Sequence, residues 1–128
     1  PGFIAIRLEV ALMKEALSVV QRGIASPENI DTVLKTGHPL NWVAAGSFER
    51  VEDGNGWDLI LAGVQRVLPD IDSSIDVMKL IQVKVNTGEL GAKSGKGLLD
   101  RSLESAEGTR RKTANAFIEI EKWSQDSL

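Results

Sequence analysis

The chain of 128 residues contains no cysteine and a single histidine, His38. Without cysteine there is no disulfide and no thiolate metal site, and cysteine usage leaves the compartment open. One histidine cannot build a histidine-based metal cluster, so no metal site is expected. No apolar run approaches the roughly 20 residues of a membrane span. No signal peptide is visible, because Arg7, Glu9, Lys14 and Glu15 break up the apolar N-terminal stretch. The expectation is a cytoplasmic protein. Positive charge is not in excess either: the net charge of −3 argues against a general binder of nucleic acid. No internal repeat is present.

What remains is ordinary for a globular domain, with 42% apolar and 26% charged residues. The length suits one domain spanning residues 1–128. The chain opens on a helix-entry turn with no leader or first strand, and it reads as the second half of something longer. Helical spacing over about residues 2–24 puts Ile6, Val10, Met13, Leu17, Val20 and Ile24 on one broad face. Leu8, Leu12, Ala16 and Val19 widen it, and Arg7, Lys14, Ser18, Gln21 and Arg22 form only a narrow polar stripe. That pattern predicts a central helix packed on several sides. Glu9 falls inside the apolar arc, where a carboxylate needs a partner, a cleft or a subunit interface.

Gly23 ends this helix. Ser26-Pro27-Glu28 then reads as N-cap, first helical position and first-turn acid of a second helix, which Gly37 stops. Residues 38–46 read as a loop carrying His38, Pro39 and Trp42. A short helix is expected around Phe48 to Glu52, and Trp57, Ile60, Leu61, Val64 and Leu68 mark another that Pro69 closes. Residues 75–87 fit a helix better than a strand. A final helix near 105–124 is expected to bury Ala114, Phe117, Ile118 and Trp123. With no convincing sheet, the class is all-α.

Several features carry possible chemistry. Gly88-Glu89-Leu90-Gly91-Ala92-Lys93-Ser94-Gly95-Lys96-Gly97 has the glycines and lysines of a phosphate cradle. It matches neither a Walker A motif nor a dinucleotide fingerprint, since Asp100 stands at the third glycine position and no clear strand precedes it. A tight structural turn is the simpler reading. His38 has the residue type for acid–base work, but no carboxylate at fixed spacing marks it as activated. Arg110-Arg111-Lys112 reads as a solvated patch rather than a site for an acidic partner. Trp42, Trp57 and Trp123 read as core or interface anchors. No nucleophile–base pair or cofactor cradle stands out, so no catalytic residue is assigned.

The ordered segments resemble a known family. Pro1-Gly2-Phe3-Ile4-Ala5-x-Arg7-Leu8, Glu15-Ala16 and Gly23-Ile24-Ala25-Ser26-Pro27-Glu28-Asn29-Ile30-Asp31 are similar to the C-terminal helical domain of L-3-hydroxyacyl-CoA dehydrogenases. Gly46-Ser47-Phe48-Glu49 resembles that family's Gly-Pro-Phe-Glu element. Gly88 through Asp100 resembles its Gly-x-x-Gly-x-Lys-x-Gly-x-Gly-Phe-Tyr-Asp loop. Each motif is weak alone; five in the right order, over about residues 1–100, are specific.

The resemblance implies a helical domain like those of 6-phosphogluconate dehydrogenases, of about five to six helices with a long first one. In the family it packs behind an N-terminal Rossmann domain that binds NAD and carries the catalytic His–Glu pair. The helical domain closes the acyl-CoA site and forms the homodimer. No NAD fingerprint is in this chain, so NAD is expected on the other domain and the chain alone is expected to be inactive. A homodimer also follows from the first helix, which has more apolar face than a chain of this size covers.

One departure bears on substrate. The family motif has Asn where this chain has Ile6, and isoleucine neither donates nor accepts a hydrogen bond. The candidate substrate-binding residues are Ile6 and Glu9, three positions apart and about 60° apart around the helix. The resemblance leaves three functions open: a 3-hydroxyacyl-CoA dehydrogenase, a relative acting on a free 3-hydroxy acid of the L-gulonate type, or a non-catalytic dimerisation module.

Overall fold

The computed structural model describes residues 2–71, 73 and 76–126. Among them the chain is all-α, with five helices of ten residues or more and two shorter ones, and no strand. It divides into two compact units, one up to Met78 and one from Lys79 onward.

In the first unit α1 covers Gly2–Gln21. Gly23, at φ +70°, ends it in a Schellman turn: Gly23 N–H donates to Val20 and Ile24 N–H to Val19. The positive φ is what requires glycine here. Next, α2 covers Pro27–Thr36 and starts as expected. Ser26 is its N-cap, and its hydroxyl accepts the Asn29 N–H at 3.1 Å. Glu28 lies in the first turn and Lys35 in the last, both favourable to the helix dipole.

Residues 38–45 are helical rather than a loop: α3 covers His38–Ala45. Gly37 both ends α2 and serves as N-cap of α3, and Pro39 falls in the first turn, where its fixed φ favours a helix start. The glycine–proline pair that reads as a break is a corner between two helices. Gly46, at φ +71°, makes the next corner, into α4, Ser47–Arg50. A π-helical turn, Val51–Asn55, follows directly. Then α5 covers Gly56–Val67, and a 3-10 turn, Leu68–Asp70, takes in Pro69. Phe48 and Trp57 bring their rings within 6.2 Å, and Trp57 Nε1 donates to Glu52 at 3.2 Å, closing this segment on itself.

Arg22, just past α1, donates to both carboxylate oxygens of Asp70 at 3.1 and 3.2 Å and to its carbonyl at 3.3 Å. The pair is solvent-exposed, so it fixes geometry more than it adds stability.

Helix α6, Asp76–Asn86, leads into the second unit. Ile75, placed at its start by the sequence pattern, lies outside the described residues. The helix ends in a second Schellman turn, with Gly88 at φ +76°. The glycine-rich segment follows, and then α7, Leu103–Asp126. A reciprocal box caps α7: Ser105 N–H donates to the Ser102 hydroxyl and Ser102 N–H to that of Ser105.

The core is small. Leu17 and Val77 are the buried apolar side chains among the described residues. Ser18 is buried too, although helical spacing puts it on the polar stripe. The reason is local: the chain packs on the last turns of α1, and a small side chain is tolerated there. Residues 3–13 of α1 are exposed all round, so the expected central helix is covered only along its C-terminal half. Ala114, Phe117, Ile118 and Trp123 are likewise exposed, against expectation. Periodicity identifies an apolar face without identifying what covers it.

The Ser26 cap makes a direct prediction. Ser26→Ala should lower stability by about 1 kcal/mol, read as a shift in the urea midpoint. An unchanged midpoint would show that the cap contributes nothing.

Candidate functional site

The two candidate substrate residues sit on the uncovered half of α1. Ile6 is 59% exposed, and Glu9 is exposed one turn further on. Phe3, Ile4, Leu8, Val10 and Leu12 around them are exposed as well. Covering a side chain of this kind is worth about 1.5–3 kcal/mol. A contiguous run of them is a surface suited to burial against another body. Glu9 has no hydrogen bond or ion pair among the described residues, so the expected partner for it is not found among them.

Further along, α1 and α2 enclose an apolar cleft of about 320 Å³, walled by Leu12, Ala16 and Val19 on one side and Ile30, Val33 and Leu34 on the other.

The glycine-rich segment is a self-contained knot of hydrogen bonds. Gly91 N–H donates to the Lys96 carbonyl at 2.8 Å, and Leu90 N–H to the Ser94 hydroxyl at 2.8 Å. A Cβ on Gly97 would stand 3.3 Å from the Gly91 backbone, so this close approach calls for glycine. Lys84, in the last turn of α6, donates to Glu89 at 2.7 Å and to the Gly97 carbonyl at 3.4 Å. Lys96 adds a second contact to Glu89 at 3.4 Å. The hydrogen bond from Lys84, reinforced by the Lys96 charge, holds the Glu89 carboxyl below the usual carboxylate range. The segment therefore acts as a clasp on the end of α6. Lys96 is engaged within it rather than left for a phosphate. Nor does it fit a dinucleotide cradle, because it follows a helix, not a strand, and Gly91 opens a 3-10 turn, Ala92–Ser94, rather than a helix.

His38 lies in the first turn of α3 and shares a cleft with Trp42 and Arg50. Arg110, Arg111 and Lys112 lie exposed along α7, as a solvated patch does. Sequence reasoning did not single out Lys84 or Arg50. Lys84 is five residues from its partner across a helix end, which the three- and four-residue spacings of a helix do not reveal. Arg50 carries no periodic signal. No group of three or more potential metal ligands occurs among the described residues, and no helix there is long and apolar enough to cross a membrane.

With this geometry, residues 2–101 match the family described as 3-hydroxyacyl-CoA dehydrogenase, C-terminal domain. The chain belongs to that family. It is 30% identical over 103 residues to a 3-hydroxybutyryl-CoA dehydrogenase of Clostridioides difficile, covering 78% of this chain and 34% of that protein. It is 29% identical over 130 residues to an L-carnitine dehydrogenase of Pseudomonas aeruginosa, covering all of this chain and 36% of that protein. The fold matches the crystal structure of an NAD+-dependent 5-formyl-3-hydroxy-2-methylpyridine 4-carboxylic acid 5-dehydrogenase. The TM-score is 0.83 at 24% identity, over 95% of this chain and 39% of that one. The chain thus spans a little over a third of the length of these relatives.

The Glu89 clasp has a pH signature. A carboxyl with a depressed folded pKa contributes stability above its unfolded pKa and loses it as pH falls through the folded value. Stability of the protein should therefore fall on acidification below the ordinary Glu value of 4.5, and Glu89→Gln should flatten that limb. An identical pH profile in the variant would show that the clasp is not linked to folding.

Proposed function

We propose that the chain is the substrate-closing and dimer-forming domain of an NAD-dependent 3-hydroxyacyl-CoA dehydrogenase. The observation that carries this reading is the family match over residues 2–101, joined to an α1 whose exposed apolar turns hold Ile6 and Glu9. In this reading an N-terminal Rossmann domain holds NAD and the catalytic pair. NAD supplies hydride acceptance when bound there. The residues of this chain exclude water from the substrate and shape its pocket. Ile6 presents a methyl-bearing wall where the family motif has a polar amide. Glu9, on the same stretch of helix, offers a carboxylate to a hydroxyl or a cationic group of the substrate. The remaining apolar surface of α1 fits a second copy of the chain, which makes a homodimer.

A specific observation favours a second reading. The acyl-CoA relative aligns over 78% of the chain, whereas the relatives named for L-carnitine and for a pyridine carboxylate align over 93–100% of it. Their alignments take in α7, beyond the family match. A free hydroxy acid has no pantetheine arm to bind, and a carboxylate at position 9 suits a cationic group on such a substrate.

Full-length enzyme assayed with NAD decides between the two. On the lead reading it oxidises 3-hydroxybutyryl-CoA, and Ile6→Asn raises kcat/KM by about tenfold by restoring a polar contact worth about 1–3 kcal/mol. Turnover of L-carnitine or another free 3-hydroxy acid, with none of the thioester, establishes the second reading. Turnover of neither contradicts the assignment to a dehydrogenase.

A further inference from the structure

The corner between α3 and α5 holds a cleft of about 290 Å³, lined by His38, Trp42, Ser47, Arg50, Asn55 and Ile60 among others. We propose that this cleft binds a small aromatic carboxylate. Four observations lead there.

The first is charge. Arg50 is half-buried, yet its guanidinium makes no hydrogen bond or ion pair among the described residues. A guanidinium partly withdrawn from water gains most from a carboxylate, which it grips with two parallel N–H donors. No lining residue is acidic. The nearby acid Glu52 accepts a hydrogen bond from Trp57 Nε1. The lining of the cleft therefore presents a cation with no carboxylate beside it.

The second is the set of neutral groups. The His38 ring, the Ser47 hydroxyl and the Asn55 amide stand round the same opening as Arg50. Each donates a hydrogen bond to an oxyanion, and none of the three is consumed by a side-chain contact within the described residues.

The third is the wall. Trp42, Val51 and Ile60 give the cleft its apolar lining. A planar ring lies against an indole at lower cost than a hydrated phosphate does. The volume is at the small end for ligand pockets, enough for a single ring and not for a nucleotide.

The fourth is the backbone. Arg50 and Asn55 bracket the π-helical turn Val51–Asn55. Such turns are rare, and they are found frequently at functional sites. Gly46 and Gly56, at φ +71° and +80°, form the corners on either side. The positive φ of Gly56 is what calls for glycine at that point.

The inference rests on the residues of the cleft and not on the choice of substrate above. Because His38 is the sole histidine, its ring signals report on the cleft without ambiguity. Untagged protein is titrated with benzoate and, separately, with inorganic phosphate, following the His38 ring by proton–carbon NMR. The expected result is a saturable shift with benzoate, and phosphate acting only at much higher concentration. Arg50→Gln should weaken benzoate by about tenfold or more, with Arg50→Lys between the two and both variants retaining the wild-type circular dichroism. Should Arg50→Gln fail to fold, the wild-type comparison of benzoate with phosphate still decides. No saturable shift with benzoate, or equal affinity in a folded Arg50→Gln protein, overturns the proposal. A shift by phosphate at equal or lower concentration overturns the aromatic ligand.

Discussion

The constraint on which the rest depends is the apolar circumference of α1. A helix of 20 residues carries apolar side chains over most of its surface, and this chain covers only its last turns. From residue 14 onward α1 is partly covered, Leu17 and Ser18 are buried, and α2 closes on it across the apolar cleft. Before that point, Phe3, Ile4, Ile6, Leu8 and Val10 face solvent. At about 1.5–3 kcal/mol for each such side chain removed from water, this is a large driving force left unspent within the chain. That surface is what the docking proposed above, on another domain or another copy, would cover.

Local devices fix the architecture around that helix. Two Schellman turns, at Gly23 and Gly88, stop α1 and α6. Ser26 and the Ser102–Ser105 box start α2 and α7. The Lys84–Glu89–Lys96 contacts hold the glycine-rich knot against the end of α6. None of these contacts is strong alone. Together they satisfy the orphan groups at helix ends, which allows a fold with so small a core to keep defined corners.

Much of this was legible in the sequence, for reasons that can be named. The all-α class followed from helical spacing, and the starts and stops at Ser26, Gly23 and Pro69 followed from the backbone needs of those residue types. The motif order carried the family. What was not legible was tertiary. Gly37-His38-Pro39 has the residue types of a break and equally those of a new helix start, and only the packing of α3 on α2 decides. The exposure of Phe117 and Ile118 on α7 is invisible to periodicity, which reports a face and not its cover. Lys84 and Arg50 matter through contacts across a helix end and round a cleft, at spacings no local rule singles out. Ile6 and Glu9 were identified from the motif and the helical wheel; the structure adds that both stand on the uncovered half of α1.

The central claim is that the first turns of α1 are a docking surface. Amide hydrogen exchange over residues 3–12 tests it most directly, measured in the 128-residue chain at high dilution and in the same chain joined to the proposed N-terminal domain. The account predicts rapid exchange in the isolated chain and strong protection in the joined protein, as the apolar turns become covered. Rapid exchange in both states would contradict it.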